Sequence, residues 1–139
     1  MRAKAPQQLQ PKHWARPKGF ANGMLAEGWQ VFIAGQIGWN AQQQFESDDF
    51  VAQVEQALRN ILEVLAQAQG RPEHLVRLNW YILDRSEYLA RLGEVGEAYR
   101  RVLGRHFPAM TLVQVAALLE ERAKVEIEAT AVLPQLPAN

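Results

Sequence analysis

Apolar residues at Phe50, Val54, Leu58, Ile61, Leu65 and Ala68 recur at steps of three and four, the spacing of a single stripe along an α-helix. Asp48 and Asp49 suit the positive end of its dipole, and Ser47 or Asp48 supplies its cap. Gly70 and Pro72 end it, so a helix is expected from 49 to 68. A second helical run follows Asp84, whose glutamate three positions on, Glu87, makes a capping-box pattern. Its apolar side is Leu89, Leu92, Val95, Tyr99 and Val102, and Gly104 with Pro108 closes it near Leu103. Gly93 and Gly96 lie inside this helix, each costing about 1 kcal/mol against alanine, and are expected to mark close packing on a sheet.

Elsewhere the pattern is that of strands. A short one at Gly23 to Ala26 is turned by Glu27 and Gly28 into Trp29 to Gly38, rich in β-branched and aromatic residues. Residues 39 to 47 form a polar connection. His74 to Leu83 alternates little and is expected to be buried on both faces or at an interface. Two further runs, starting at Met110 and Lys124, meet through Glu120 to Ala123, a link short enough for a hairpin-like connection. The order strand, strand, helix, strand, helix, strand, strand predicts an α+β fold with both helices over one face of a sheet. The other face carries Trp80 or Tyr81 and Val113 or Leu112, and a sibling subunit is the economical cover for it.

Alternation along the last strand places Val125, Ile127, Ala129 and Ala131 on one side and Lys124, Glu126, Glu128 and Thr130 on the other. On the preceding run Met110, Leu112, Gln114 and Ala116 share a face, opposite Thr111, Val113 and Val115. A carboxylate shut against apolar groups at a subunit seam holds its proton more tightly, which suits proton transfer. The same Glu-x-Glu pattern also describes the solvated face of a sheet, and both readings stand on spacing alone.

Composition narrows the chemistry. The 139 residues suit a single domain, and 48% hydrophobic with 22% charged residues is ordinary for a globular protein. Zero formal net charge gives no long-range field toward polyanions or membranes. The first 18 residues differ, because Arg2, Lys4, Lys12, Arg16 and Lys18 meet no acid there. They are expected to form an extended, solvated basic arm, with a nucleic-acid contact as the alternative. The domain is expected over 19–134, with 135–139 as a tail. The absence of cysteine removes disulfides, thiolate sites and cysteine nucleophiles. No apolar signal core follows the N-terminal cations, and no run reaches the ~18 apolar residues of a membrane helix, so a cytoplasmic protein is expected. His13, His74 and His106 lack ligand spacing, the only serines sit at helix starts, and Gly19 to Gly23 precedes no helix. No metal and no cofactor are expected.

Several segments together resemble the Rid (YjgF, RidA-like) family. They are Pro17 to Phe20, Val31 to Ile37, Gln56 to Ile61, Leu75 to Asp84, Phe107 to Val115 and Ala123 to Ala131, in the family's order across residues 17 to 133. The resemblance implies a chorismate-mutase-like α+β fold and a homotrimer whose sheets form a central barrel with clefts between neighbours. It also implies hydrolysis of reactive enamines or imines with release of ammonia. In such members an arginine in a Pro-Ala-Arg-Ser pattern clamps the substrate carboxylate, and a glutamate of the closing Val-Glu-Ile-Glu pattern handles water.

The glutamate is present as Glu126, the expected catalytic residue. Met110 stands at the arginine position, Thr111 follows it, Leu112 replaces a cysteine, Ala34 a serine and Gly93 an asparagine, while Phe20 keeps the N-terminal aromatic. With Trp39, these are the expected substrate-binding residues. Loss of a buried arginine–carboxylate pair argues against the small 2-imino acids and for a larger or more apolar ligand, unless Arg105 or His106 replaces the cation. The expected activity is deamination of an enamine, imine or aminomuconate-like metabolite at intersubunit clefts. A small-molecule-binding trimer without catalysis is the alternative. RNA binding or cleavage fits poorly with neutral charge and no histidine pair.

Overall fold

Among the described residues the pattern of stripes and alternations condenses into six strands and three α-helices. They are β1 (Gln7–Leu9), β2 (Gly23–Leu25), β3 (Trp29–Ile37), α1 (Phe50–Ala66), β4 (Leu75–Ile82), α2 (Arg85–Ala90), α3 (Leu92–Leu103), β5 (Ala109–Gln114) and β6 (Val125–Leu133). The computed structural model describes residues 5–135; Arg2 and Lys4 of the basic arm and residues 136–139 of the tail lie outside the described residues. Strands β1 and β2 pair antiparallel, so part of the arm is bound to the domain as a strand.

The main sheet has the order β3-β6-β4-β5. Strand β6 runs antiparallel to both β3 and β4, and β5 runs parallel to β4. The hairpin-like link expected at Glu120 to Ala123 therefore joins strands that are not neighbours. The helical connection from β4 to β5 is a crossover, which makes that pair parallel, and β6 fills the slot on the other side of β4. Strand β4 is also one-sided: Leu78, Trp80 and Ile82 are buried while Arg77, Asn79 and Tyr81 are not, because helices cover only one face.

The α1 stripe is the centre of the core. Phe50, Val54, Leu58, Ile61 and Leu65 are buried against Ile33, Leu78, Ile82, Ile127 and Ala129 of the sheet. Asp49 caps the helix, accepting from Ala52 N at 3.0 Å, while Ser47 Oγ accepts from Asp49 N. The helix stops at Ala66, and Gln69 rather than Gly70 takes the left-handed turn, with φ of 60°. Gly70 is needed for space, since a Cβ there would collide with Leu65 Cδ1.

The second helical run divides at Arg91, whose φ and ψ of −119° and 27° are not helical. The break turns Leu89 and Leu92 outward, both exposed, whereas Val95, Tyr99 and Val102 are buried as expected. Arg91 is held at 2.7 Å from Asp49 and 2.8 Å from Glu94. The glycines do not pack on the sheet: a Cβ on Gly93 would meet nothing within 4 Å, and one on Gly96 would meet only the Arg100 guanidinium, at 3.2 Å. No helix among the described residues is long and apolar enough to cross a membrane.

One buried amide ties α1 to the strand connections. Gln53 Nε2 donates to Ser47 O and Arg122 O, both at 3.1 Å, and Gln53 Oε1 accepts from Lys124 N at 2.8 Å. Gly38 lies against its side chain, leaving no room for a Cβ. Gln53→Leu strands these backbone groups and is expected to lower unfolding free energy by about 2–4 kcal/mol, read as a lower urea midpoint at unchanged slope. An unaltered midpoint would show that the amide holds nothing.

Acid stability gives a second check. Hydrogen bonds from Arg91 hold the Asp49 carboxyl below its ordinary range, and those from Arg59 and then Arg101 do so for Glu55. Depressed carboxyl groups stabilise the fold above their unfolded pKa values, and that contribution disappears as pH falls through the lower folded ones. The urea midpoint is expected to be flat above about pH 5 and to fall below it, less steeply in Arg91→Gln.

Candidate functional site

Strand alternation sends the chemistry-bearing side chains to two opposite faces of the sheet. On the helix-free face, register sets Phe32 beside Thr130, Asn79 beside Glu128, and Tyr81 beside Glu126. Thr111 and Val113 extend the rows through Asn79 and Tyr81. The face is apolar as well as acidic, with Phe32 73% and Val113 43% exposed.

The two carboxylates on this face differ in their surroundings. Glu128 accepts from Asn79 Nδ2 at 3.0 Å and from Tyr81 OH at 2.6 Å, and that second bond is the main cause of a raised Tyr81 phenol pKa. Glu126 is half-buried and has no hydrogen-bond partner among the described residues. It rests instead on Gly35, where a Cβ would stand 2.5 Å from Glu126 Oε1. A bulge between Ile33 and Gln36 brings that glycine to the acid. The arrangement leaves one carboxylate anchored and the other without a hydrogen-bond partner among the described residues.

The helix-covered face ends in a pocket of ≈ 480 Å³ beside β5. Met110 lies opposite Leu78 and Leu112 opposite Trp80, so both side chains point to this face. Phe20 joins them from the N-terminal segment, where Ala21 bridges to Ala109. Aromatic rings form the back wall: Trp80 and Tyr99 have centroids 6.5 Å apart, and Tyr99 and Phe107 5.1 Å. Tyr99 OH donates to His106 O at 2.5 Å, and burial pushes its phenol pKa up.

The residues expected from sequence thus fall into separate groups. Phe20, Met110 and Leu112 share the pocket; Glu126, Ala34 and Thr111 lie with the opposite face. Within one chain, then, Glu126 does not look at Met110: Met110 lies in register with Leu78 on the helix-covered face and Glu126 with Tyr81 on the helix-free face. Trp39 belongs to a loop cluster, 5.9 Å from the Phe45 ring, over which Arg122 sits at 5.3 Å. Gly93 is exposed at the start of α3 and lines neither half. Neither expected substitute cation serves the pocket: Arg105 is exposed outside it, and His106 Nε2 is bound to Leu75 O at 2.7 Å. Lys18 and Arg100 line it instead. Their only signals were the helical spacing of Arg100 after Gly96 and the nearness of Lys18 to Phe20. No group of three or more histidine, aspartate or glutamate side chains among the described residues is arranged to hold a metal.

Comparison with known proteins agrees with this architecture. The family model for endoribonuclease L-PSP matches residues 15–133. The chain is 35% identical over 106 residues to protein DfrA of Myxococcus xanthus, covering 76% of this chain and 77% of that one. It is 30% identical over 105 residues to the 2-iminobutanoate/2-iminopropanoate deaminase of Salmonella typhimurium, covering 76% and 80%. Among solved structures, the Rid-family protein YyfB of Yersinia pestis superposes with a TM-score of 0.83 at 31% identity, covering 94% of this chain and all of that one. With a family model spanning most of its length and a framework shared with YyfB, the chain belongs to the Rid (YjgF) family.

Proposed function

We propose that this chain hydrolyses a reactive enamine or imine, or an aminomuconate-like compound, at clefts completed between copies of a homotrimer. The observation that carries the reading is Glu126: a half-buried carboxylate without a partner among the described residues, two positions from one that is fully engaged. In the proposed reaction Glu126 takes a proton from water, and the resulting hydroxide adds to the C=N carbon. The nitrogen takes up protons and leaves as ammonia, and the carbonyl forms. Imine plus water thus yields ketone plus ammonia, with no redox change and no cofactor.

The two half-sites support the assembly. Glu126 and the Met110 pocket lie on opposite faces of one sheet, so a single cleft containing both needs two copies. The exposed Phe32 and Val113 give the helix-free face the apolar character of a surface awaiting a partner. A trimer with a central barrel, as in the chorismate-mutase-like arrangement, meets both requirements. Ala34 and Thr111 would then stand near the acid, while Trp39 and Gly93 would reach the cleft only through a neighbouring copy. The 2-iminobutanoate deaminase named among the relatives supports the reaction type.

One observation favours a binding trimer without catalysis. Met110 packs against the core cluster at the position where the expected clamp is an arginine, so small imino acids lose their anchor there. RNA cleavage is weaker, since His74 accepts from Arg71 N and His106 is bound to Leu75 O, which leaves no free pair of histidines among the described residues.

Ammonia release from generated enamines and from 2-aminomuconate tests the reading. Glu126→Gln is expected to lower the rate by about a hundredfold or more, and Glu128→Gln by less. Gly35→Ala, which pushes the acid aside, is expected to lower kcat without dissociating the assembly. A ligand that raises Tm without turnover would select the binding reading. A monomeric mass by light scattering, or full activity in Glu126→Gln, would reject the cleft mechanism.

A further inference from the structure

The formal charge of zero conceals a segregation along the chain. All fifteen acids lie after residue 18, but only ten of the fifteen lysines and arginines do, which leaves the leading segment at +5 and the rest at −5. Lys12, Arg16 and Lys18 are exposed, and none of their side chains makes an ion pair or hydrogen bond among the described residues. On the helices, by contrast, Arg59, Arg91 and Arg101 are each paired to acids. Between Lys12 and Arg16 in sequence stands an indole, Trp14, that is 54% exposed. Its turn is held from within: Trp14 N donates to Pro11 O at 3.1 Å, and Gln10 Nε2 donates to Trp14 O at 3.4 Å and Ala15 O at 3.3 Å. Gln10 Oε1 in turn accepts from Asn22 Nδ2 at 2.9 Å, which ties the turn to the strand pair beside it. Register in that pair sets Leu9 opposite Gly23 and Leu25 opposite Gln7, so both leucines take one face, 44% and 58% exposed.

We propose that the leading segment is a docking surface for an anionic phospholipid membrane. Trp14, with Leu9 and Leu25, enters the headgroup boundary, while Lys12, Arg16 and Lys18 meet the lipid phosphates and carboxylates. Insertion of a few apolar side chains gives only weak, reversible attachment, and a cationic patch supplies the second signal that makes it selective. Attraction to such a surface acts within a Debye length of about 10 Å, so the local charge of the segment decides the encounter and the net charge of the chain does not. The balance of aliphatic to aromatic contact decides for lipid over single-stranded nucleic acid. A nucleic acid is held by stacking successive bases on aromatic rings, and residues 5–18 offer one ring only. The inference goes beyond the proposed function and does not depend on it.

Flotation of the full chain at about 0.1 M salt tests it, with vesicles of phosphatidylcholine alone and with vesicles containing about 30% phosphatidylserine. Binding to the anionic vesicles is expected to exceed that to the neutral ones about tenfold or more, and to weaken as salt is raised. Lys12→Gln combined with Arg16→Gln is expected to erase that margin. Trp14→Ser is expected to weaken binding to anionic vesicles about fivefold or more, and Leu25→Ser to act in the same direction. All four side chains are exposed, so the variants are expected to keep the wild-type urea midpoint. Equal binding to both vesicles, binding to neither, or unchanged binding in the double variant or in Trp14→Ser overturns the proposal. So does displacement from the vesicles by a single-stranded oligonucleotide that the chain binds more tightly, which assigns the surface to nucleic acid. A changed mass of Trp14→Ser by light scattering overturns it too, and assigns the surface to a second copy of the chain.

Discussion

Helices cover one face of a four-stranded sheet, and everything else about this chain follows from that asymmetry. The α1 stripe dries Ile33, Leu78, Ile82, Ile127 and Ala129. Because strand side chains alternate, each buried residue fixes its neighbours on the opposite face. Strand β6 shows this most directly. Burial of Val125, Ile127 and Ala129 leaves Glu126 and Glu128 no choice of direction. The acids therefore owe their common face to the hydrophobic effect acting on the residues between them.

Sharing a face does not make them equivalent. Tyr81 is the register partner of Glu126, yet its hydroxyl reaches diagonally to Glu128, where Asn79 already donates. On the other flank the β3 bulge presents Gly35, which has no side chain to offer Glu126. One acid is thereby fixed by two donors and its neighbour is left open, a division of labour made by a tyrosine's lean and a glycine's emptiness.

The elements themselves were legible along the chain. The α1 stripe, the β3 run and the alternation of β6 each announced their form, because period reports directly on burial. Strand order was not legible: that β4 separates β5 from β6 is a matter of tertiary fit, and a short polar link such as Glu120 to Ala123 suits a hairpin or a longer return equally. Which residues share a face within each strand followed from alternation, but that Met110 and Glu126 point to opposite faces depended on that order. Arg91 also escaped notice, because a one-residue break leaves the helical spacing almost intact on either side. Arg100 and Lys18 gave no pattern as a pair, since they meet only after the N-terminal segment has docked.

That docking has its own thermodynamic meaning. The leading segment is fastened by Gln8 Nε2 donating to Phe107 O at 3.2 Å, by Ala21 N donating to Pro108 O at 3.0 Å, and by the β1–β2 pairing. Between these clasps Gly19 turns with φ of 79° and delivers Lys18 and Phe20 to the mouth of the cavity. The mouth is thus made of chain that a few peripheral bonds keep in place, and for any ligand whose binding tightened those bonds, loosening them would weaken the binding by the same free energy. A fusion or trimming at the amino end therefore reaches the interior of the site without touching any residue in it.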